Sequence, residues 1–400
     1  PDYVYSCKFC SIFDLMGLIK KMKKSLLPFV VFLIFLGLAP GFGKEPVKIR
    51  VTVLKDKTEA TLSVTGSFEI VDARTKVSLY RGRNFLGMKV TPSQQGIKVK
   101  NTVYNTDAIM VISKKKAAIS VNNRSYRGDI SIYKDTSGKL LVVNALDLES
   151  YLKGVLYHEI SHKWPLDAIK AQAIAARTYA LYQKEVMKSK DYDVAADTFS
   201  QVYGGYSSEK RKTNRAVNFT NGEVLTYKGK VFPAYFHATC GGATEYAGEL
   251  WKMDILPLKG GSACSFCSDS PHYYWKSELD LKTITKKLGL RYQSEEDLSN
   301  IAVTERTGTG RVRTLELQDA SKKSMVISAK DFRSLLGPDL IRSTNFSIVI
   351  ERDHVIFNGK GWGHGVGLCQ WGAYGMSNKG YNYKQILGFY YPGTDIVRSS

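Results

Sequence analysis

Residues 158–162 read His-Glu-Ile-Ser-His and fit the H-E-x-x-H pattern of zinc metallopeptidases. In that pattern two histidines on one helix face bind the metal, and the glutamate activates a metal-bound water. Pro165 follows closely, so His162 is expected at or beyond the end of the helix, where it no longer shares a face with His158. A zinc metallopeptidase remains an alternative, with Glu185 as the candidate third ligand.

Glu159 has a second interpretation that needs no metal. It lies at the end of an apolar helix, beside Tyr157 and Trp164. Desolvation in such a place raises the pKa of a carboxyl group, as a general acid at neutral pH requires. The structural alternative is a helix-end glutamate in an ion pair with Lys153 or Lys163, and spacing alone favours this ion pair.

A glycine-rich string lies near the C-terminus. Residues 359–367 read Gly-Lys-Gly-Trp-Gly-His-Gly-Val-Gly, and Leu-Cys-Gln-Trp-Gly-Ala-Tyr-Gly follows. Alternate glycines let backbone N–H groups approach a ligand closely. The dinucleotide pattern does not fit, because position 366 is valine. Trp362, Trp371 and Tyr374 are candidates for stacking on sugar rings, and a tight turn with core aromatic residues is the alternative.

Four cysteines follow the N-terminal region, at positions 240, 264, 267 and 369. The C-x-x-C pair of Cys264 and Cys267, together with Cys240 and His272, has the spacing of a structural zinc site. A disulfide or reduced thiols are the alternatives, since disulfides form in exported proteins.

Periodicity predicts an α+β framework for these residues. Short apolar–polar alternation predicts a β-rich region from 47 to 143. Helices are expected from Asp147 to about Glu159, with Asp147 as the cap, and from Pro165 to about Met187. The second helix has a core face spaced three and four apart, formed by Leu166, Ile169, Ala173, Ala176 and Ala180. Further strands are predicted at 223–236, 301–317 and 346–357, and helices at 279–289 and 328–336. Strands and helices do not alternate as in a βαβ protein.

Composition limits the class of protein and its partner. A chain of 400 residues with 44% hydrophobic and 12% aromatic residues is folded, and it exceeds what one core usually supports. The formal net charge of +20 indicates an anionic partner, such as nucleic acid, an acidic membrane surface or a cell-wall polymer.

The first 43 residues indicate the compartment. A cationic stretch at 20–24 precedes an apolar run at 26–38 and small residues at 39–43, the order of a secretory signal peptide. Met22 is the expected start, so Cys7 and Cys10 are left out of the fold. We expect an exported protein of the periplasm or cell wall, with membrane contact only through an uncleaved signal anchor. Export excludes nucleic acid as the partner.

Several ordered strings resemble those of the SpoIID/LytB family, over residues 47 to 396. These strings are Val143-Asn144, Leu148-Glu149, Tyr151-Leu152, Gly154-Val155, Glu159, Trp164-Pro165-Leu166, Lys170-Ala171-Gln172-Ala173, Ala175-Ala176-Arg177-Thr178-Tyr179-Ala180, Gln201-Val202-Tyr203, Gly205, Asn214-Arg215-Ala216-Val217, Thr220, Gly222, His237, Gly241-Gly242, Thr244-Glu245, the run from 361 to 365, the run from 370 to 373, and the run from 390 to 394.

The resemblance implies a lytic transglycosylase that cuts peptidoglycan glycan strands and leaves 1,6-anhydro-MurNAc ends. Glu159 matches the catalytic glutamate, and Arg177 matches a residue important to activity. The substrate's own C6 hydroxyl closes on the anomeric carbon, so one carboxyl group is enough. Arg177 and the glycine-rich loop are expected to hold the lactyl carboxylate. The expected substrate-binding residues are Arg177, Gln201, Tyr203, His237, Gly241, Gly242, Trp362, His364, Gln370 and Trp371.

The sequence departs from the family pattern at two places, beside Glu159 and before the Gln-Val-Tyr string. The family's common Ala-Glu-Met-Pro string is replaced by the His-Glu-Ile-Ser of residues 158–161. Some members hold a metal through Cys and His just before the Gln-Val-Tyr string, and residues 192–200 contain neither. No cofactor is therefore required, and structural zinc at the C-x-x-C cluster is the one candidate.

Other members of the family are amidase enhancers. The alternative function is therefore a non-catalytic, wall-binding activator of an N-acetylmuramoyl-L-alanine amidase. The expected organisation is an upstream extension with signal peptide or anchor at 1–43, a β-rich region at 44–143, the SpoIID/LytB core at 144–255, and a C-terminal part at 256–400 that completes a substrate groove with the glycine-rich loop.

Overall fold

The structure is a computed structural model that describes residues 46–113, 119–188, 190–195, 201–292 and 296–399. The chain from Pro46 onward forms one compact unit. The predicted signal peptide lies outside the described residues. Within the ranges that are described, no helix is both long and apolar enough to span a membrane.

The N-terminal part is β-rich, as predicted from the alternation between 47 and 143. Its strands are β1 (Lys48–Lys57), β2 (Ala60–Asp72), β3 (Ser78–Ser93), β4 (Gly96–Val99), β5 (Thr102–Tyr104), β6 (Ala108–Ser113), β7 (Ile119–Val121), β8 (Arg124–Tyr126), β9 (Asp129–Lys134) and β10 (Leu140–Asp147).

These strands build one large sheet that also takes in β11 (Val194–Ala195). The strand order is β11-β1-β10-β9-β6-β2-β3-β4-β5, and β7 and β8 extend from β2. The alternating side chains of β10 leave Leu140, Val142 and Leu146 buried, which matches the two-residue period of a half-buried strand. The predicted boundary between residues 143 and 144 therefore lies within a strand.

The helices follow the sheet and confirm the α+β prediction. Those of the described ranges are α1 (Leu148–Glu159), α2 (Leu166–Val186), α3 (Arg211–Phe219), α4 (Gly248–Trp251), α5 (Leu281–Leu288), α6 (Ala329–Leu336), α7 (Gln370–Asn378) and α8 (Tyr383–Tyr390). Asp147 caps α1 as predicted, because its side chain accepts the Ser150 N–H at 2.9 Å. Pro165 is the N-cap residue of α2, and its side chain makes no capping hydrogen bond.

Helix α2 is buried over much more than one face. The predicted positions Ile169, Ala173, Ala176 and Ala180 are fully buried, whereas Leu166 is partly exposed. Arg177, expected beside this face, is fully buried as well. Neighbouring elements therefore enclose the middle of α2, because its small alanines let them approach closely.

The later strands form small sheets. They are β12 (Glu223–Thr226), β13 (Phe236–His237), β14 (Tyr274–Asp280), β15 (Leu298–Arg306), β16 (Val312–Asp319), β17 (Ser324–Ser328), β18 (Phe346–Glu351), β19 (His354–Lys360), β20 (Leu368–Cys369) and β21 (Asp395–Arg398). Strand β12 pairs with β21 and β13 runs parallel to β20, while β14-β19-β18 and β15-β16-β17 form two three-stranded sheets. The predicted strand at residues 231 and 232 is irregular chain instead.

Two hydrophobic cores result. The main core takes side chains from Ile49 to Cys267 and again from Val366 to Tyr391, so all three regions predicted after residue 43 contribute to it. The second core lies between Trp275 and Phe357 and is built by β14 to β19 with α5 and α6. The stretch that forms the second core begins and ends at neighbouring points. The hydrogen bond from the Gly361 N–H to the Tyr273 carbonyl, at 2.9 Å, joins these two points.

Candidate active site and a four-cysteine cluster

Glu159 is the last residue of α1, and part of its surface is accessible. Its Oε1 accepts the backbone N–H of Val202 at 3.0 Å. Desolvation raises the pKa of Glu159 to about 7, and the Val202 N–H opposes this by favouring the carboxylate. Glu159 therefore has a pKa suited to proton transfer near neutral pH.

The structural alternatives for Glu159 do not hold. None of the ion pairs among the described residues involves it, so the pairing with Lys153 or Lys163 is absent there. Helix α1 ends at Glu159, which leaves His162 outside the helix. His158 instead contacts Ser208 through Nε2 at 2.7 Å. Within the described ranges the two histidines belong to no group that could hold a metal, and the metallopeptidase interpretation is wrong.

The segment that follows residue 200 lies directly on α1. The Gly204 N–H donates to the Gly154 carbonyl at 3.1 Å, and a Cβ at Gly154 would come within 2.4 Å of the Tyr203 ring. Tyr203 donates its hydroxyl to Asn144 Oδ1 at 2.8 Å. This packing holds the intervening Val202 N–H against Glu159.

Gln201 and Tyr203 were predicted to bind substrate, and the structure places both in the core. Gln201 is fully buried, accepts the Tyr151 hydroxyl at 2.7 Å and donates to the Ala176 carbonyl at 3.2 Å. Tyr203 is 3% exposed. Both side chains are buried and hydrogen-bonded to protein groups. They therefore support the residues around Glu159.

Arg177 was also predicted to hold the substrate carboxylate, and this prediction is wrong. Its side chain is fully buried, and its Nε and Nη2 donate to the two carboxylate oxygens of Glu149 at 2.8 and 2.7 Å. Its Nη1 donates to the Glu223 carbonyl at 2.9 Å. Arg177 therefore joins α2 to the start of α1 and to β12.

An aromatic surface lies near the end of α1. Trp164 follows Glu159 by five residues, and its N–H donates to the Ser161 carbonyl at 3.1 Å in the turn between α1 and α2. The Trp164 ring contacts Trp371 and Tyr374, each at a centroid distance of 4.9 Å. All three rings are partly exposed. We call Trp164, Trp371 and Tyr374 the aromatic wall. Exposed indole and phenol faces of this kind are suited to stacking on a sugar ring.

Gln370, next to Trp371, is buried, and its Nε2 donates to Gln172 Oε1 at 3.4 Å. It therefore connects α7 to α2 and supports the aromatic wall from behind, rather than contacting substrate as predicted.

The glycine-rich loop packs against protein instead of forming an open cradle. Gly361 and Gly367 have φ of +80° and +70°, which side chains rarely adopt. A Cβ at these positions would come within 2.5 Å of the Thr239 carbonyl and 2.1 Å of the Tyr235 carbonyl. The N–H of Trp362 donates to the Thr239 carbonyl at 2.8 Å, and that of Gly363 to the Arg342 carbonyl at 2.9 Å. The predicted anion cradle is therefore absent at these positions.

Two histidines meet at the glycine-rich loop. The rings of His237 and His364 are 5.5 Å apart, and His237 Nδ1 contacts the Val366 carbonyl at 3.1 Å. Burial lowers the pKa of His237 to about 3 and that of His364 far below its usual value. Both are therefore neutral at physiological pH. His364 is partly exposed and lies edge-on to Trp251 at 5.2 Å, whereas His237 is buried.

The remaining predicted binding residues lie at the turn after β13. A Cβ at Gly241 would come within 2.7 Å of the Lys360 backbone, so Gly241 and Gly242 let two chain segments approach each other. Trp362 lies edge-on to His272 at 4.5 Å and below the Arg342 guanidinium at 5.0 Å. Neither of these contacts involves a residue of the aromatic wall.

The four cysteines converge behind this turn. Cys240, Cys264, Cys267 and Cys369 are buried, and their sulfur atoms all lie within 4.8 Å of one another. The structure therefore brings together the three cysteines of the predicted cluster, and the fourth position belongs to Cys369 in place of the predicted His272. Cysteine count alone could have suggested Cys369, but its distance in sequence from the C-x-x-C pair gave no reason to choose it.

Comparisons with known proteins give two family matches. A family described as stage II sporulation protein matches residues 136–227, which contain α1, α2 and Glu159. A domain of unknown function matches residues 264–367, the stretch that holds the second core.

Three relatives extend the similarity. The chain is 35% identical over 363 residues to an uncharacterized protein of Brachyspira hyodysenteriae, over 87% of this chain and 92% of that protein. It is 30% identical over 269 residues to stage II sporulation protein D of Bacillus amyloliquefaciens, over 64% of this chain and 75% of that protein. It is 29% identical over 290 residues to the amidase enhancer of Bacillus subtilis, over 62% of this chain but only 40% of the enhancer's length.

The family match and these relatives place the chain in a class of proteins with a cell-wall-related role. The chain belongs to the SpoIID/LytB family.

Proposed function

We propose that this chain is an exported lytic transglycosylase that cleaves peptidoglycan glycan strands, with Glu159 as the acid and base. The observation that carries this proposal is the desolvated carboxyl of Glu159, whose pKa is raised to about 7. At neutral pH a large fraction of this group is protonated, so it can donate a proton to a leaving oxygen.

The reaction needs one proton donor that then serves as an acceptor. Glu159 donates its proton to the glycosidic oxygen, and the bond from that oxygen to C1 of the MurNAc residue breaks. The C6 hydroxyl oxygen of the same residue forms a bond to C1, and its proton passes to the Glu159 carboxylate. The products are a 1,6-anhydro-MurNAc end and a new free sugar end, and the enzyme returns to its starting protonation state.

The surroundings of Glu159 fit a reaction with one carboxyl group. Hydrolases that use two carboxyl groups place them within about 10 Å of each other across the bond. Among the described residues, the two influences on the pKa of Glu159 are burial and the Val202 N–H, and neither is a second carboxylate. An internal nucleophile from the substrate removes the need for one.

Trp164 of the aromatic wall follows Glu159 by five residues in the chain, which supports sugar binding close to this acid. Trp164 and Trp371 offer partly exposed indole rings close to the end of α1. The net charge of +20 favours association with an anionic wall polymer. Since Arg177 is enclosed by Glu149, the proposal assigns no substrate contact to it.

Activation of a cell-wall amidase is the second candidate function. It is supported by the similarity to the Bacillus subtilis amidase enhancer. In this case Glu159 would have no catalytic role, and the aromatic wall would bind the glycan or the amidase.

Purified protein incubated with glycan strands separates these candidates. We expect products with anhydro ends, which are lighter by one water than hydrolytic products. Glu159→Gln should abolish them, and Glu185→Gln, a change at an exposed position of α2, should leave them unchanged. Absence of anhydro products, together with faster release of stem peptides by an added amidase, would favour the enhancer function instead.

A further inference from the structure

Three separate chain segments bring the four cysteines to a single point, two segments with one cysteine each and one segment with a pair. Cys240 follows β13, Cys264 and Cys267 flank a short 3-10 turn, and Cys369 ends β20 just before α7. All four sulfurs are buried within 4.8 Å of one another. In the described part of the chain they are the one group of three or more such side chains that could hold a metal ion.

The spacing fits a single tetrahedral ion. With Zn–S bonds of about 2.3 Å, sulfurs at the corners of a tetrahedron lie about 3.8 Å apart. The Cys240 and Cys267 sulfurs are 3.4 Å apart, and the largest separation in the group is within 4.8 Å. Two disulfides would need only two separate pairs, each at about 2.0 Å, and would not require all four sulfurs to converge. None of the four is disulfide-bonded.

Hydrogen-bond donors point at these sulfurs. The Cys369 sulfur accepts the N–H of Cys240 at 3.2 Å and that of Gly372 at 3.3 Å. The Tyr390 hydroxyl contacts the Cys264 sulfur at 3.1 Å. Such donors stabilise thiolates and orient them as metal ligands. Gly372 permits the approach, since a Cβ there would come within 2.9 Å of the Cys264 sulfur.

A buried positive charge lies beside the cluster. Arg311 is 1% exposed, and its Nη2 donates to the Cys240 carbonyl at 2.6 Å. Its Nε and Nη1 have no hydrogen-bond partner among the described residues. Glu245 is its partial counter-ion, with Oε2 at 3.9 Å from the Arg311 Nε. Four thiolates around a divalent ion carry a net charge of −2, so Arg311 is placed to offset part of it.

We infer that Cys240, Cys264, Cys267 and Cys369 bind one structural Zn²⁺. Zinc suits a closed site of four sulfur ligands, and it is not redox-active. Because the site joins the turn after β13 to the start of α7, the ion fastens the glycine-rich loop at both ends. It also fixes Cys369, two residues before Trp371 of the aromatic wall.

Metal analysis of the purified full chain tests this inference. We expect elemental mass spectrometry to find one zinc per chain. We also expect four additional thiols to react once the unfolded chain is treated with a chelator. Cys369→Ser should reduce the zinc content to near zero, whereas His272→Ala, at the ligand position predicted from sequence, should keep one zinc. Less than a tenth of an equivalent of zinc, or iron in its place, would overturn the inference.

A second measurement on the wild-type protein tests the inference even if the Cys369→Ser variant does not fold. Wild-type protein exchanged with Co²⁺ should show the sulfur-to-cobalt charge-transfer absorption of a four-thiolate site. Disulfide-linked peptides in an unreduced digest, joining any two of the four cysteines, would contradict it. These outcomes do not depend on glycan cleavage, so the inference and the proposed function fail separately.

Discussion

Val202 donates its backbone N–H to Glu159 Oε1 at 3.0 Å, although 43 residues separate the two in the chain. This contact favours the carboxylate, while burial favours the protonated acid. Burial has the larger effect, and the pKa of Glu159 rises from 4.5 to about 7. The balance leaves a side chain that both gives and takes a proton near neutral pH.

The first prediction concerns the pH dependence of glycan cleavage. The step that breaks the sugar–sugar bond needs protonated Glu159, so the rate should fall about tenfold per pH unit above 7. The measurement is the initial rate of anhydro-end formation between pH 5 and 9. Binding of the protein to glycan over the same range is the control. A rate that stays constant up to pH 9 would exclude Glu159 as the acid.

The second prediction concerns stability. Between pH 4.5 and 7 the carboxyl ionises in the unfolded chain but stays protonated in the folded one, so the free energy of unfolding falls as pH rises through this window. Glu159→Gln removes that loss and should stabilise the protein by about 2 kcal/mol at pH 8, with no gain at pH 4. Urea unfolding at both pH values measures it. Equal effects at the two pH values would contradict a raised pKa.

The third prediction tests whether the packing of Tyr203 on α1 holds the Val202 N–H against Glu159. Gly154→Ala places a methyl group against Tyr203, where a Cβ would lie 2.4 Å from the ring. The segment after residue 200 must then shift, so we expect a lower melting temperature and at least tenfold slower cleavage. Gly388→Ala is the matched control, because nothing lies within 4 Å of its added Cβ on α8. That change should stabilise the helix by about 0.5–1 kcal/mol.

The fourth prediction separates a structural role from substrate binding at Arg177. Arg177→Met leaves the Glu149 carboxylate without its partner and should destabilise the fold by about 3–5 kcal/mol. Where the variant stays folded, its KM for glycan should equal that of the wild type. Arg215→Ala, at an exposed position of α3, should change the free energy of unfolding little. A raised KM with unchanged stability would return Arg177 to the substrate site.

Local signals in the sequence predicted the parts of the fold that depend on neighbours in the chain. The alternation before residue 143 and the Asp147 cap predicted the β-rich region and α1, because strand period and helix caps are short-range properties. The end of α1 at Glu159 followed from the nearby Pro165, and it explains why His162 binds no metal with His158.

Long-range contacts were beyond the reach of such signals. The family strings predicted Arg177 and Gln201 as substrate-binding residues, but such strings do not show whether a side chain faces substrate or protein. Their partners, Glu149 and Tyr151, come from α1. The packing of α2 on α1 brings Arg177 to Glu149, and the packing of the segment after residue 200 on α1 brings Gln201 to Tyr151. The same holds for Cys369, whose distance in sequence from Cys264 concealed its closeness in space.

The two ends of the second core lie side by side, where the Gly361 N–H meets the Tyr273 carbonyl. A stretch that starts and finishes at one place can be lengthened or shortened in its outer loops while the surrounding chain keeps its path. Changes confined to those loops, with Arg311 kept beside Cys240, would therefore leave the architecture around Glu159 unaltered.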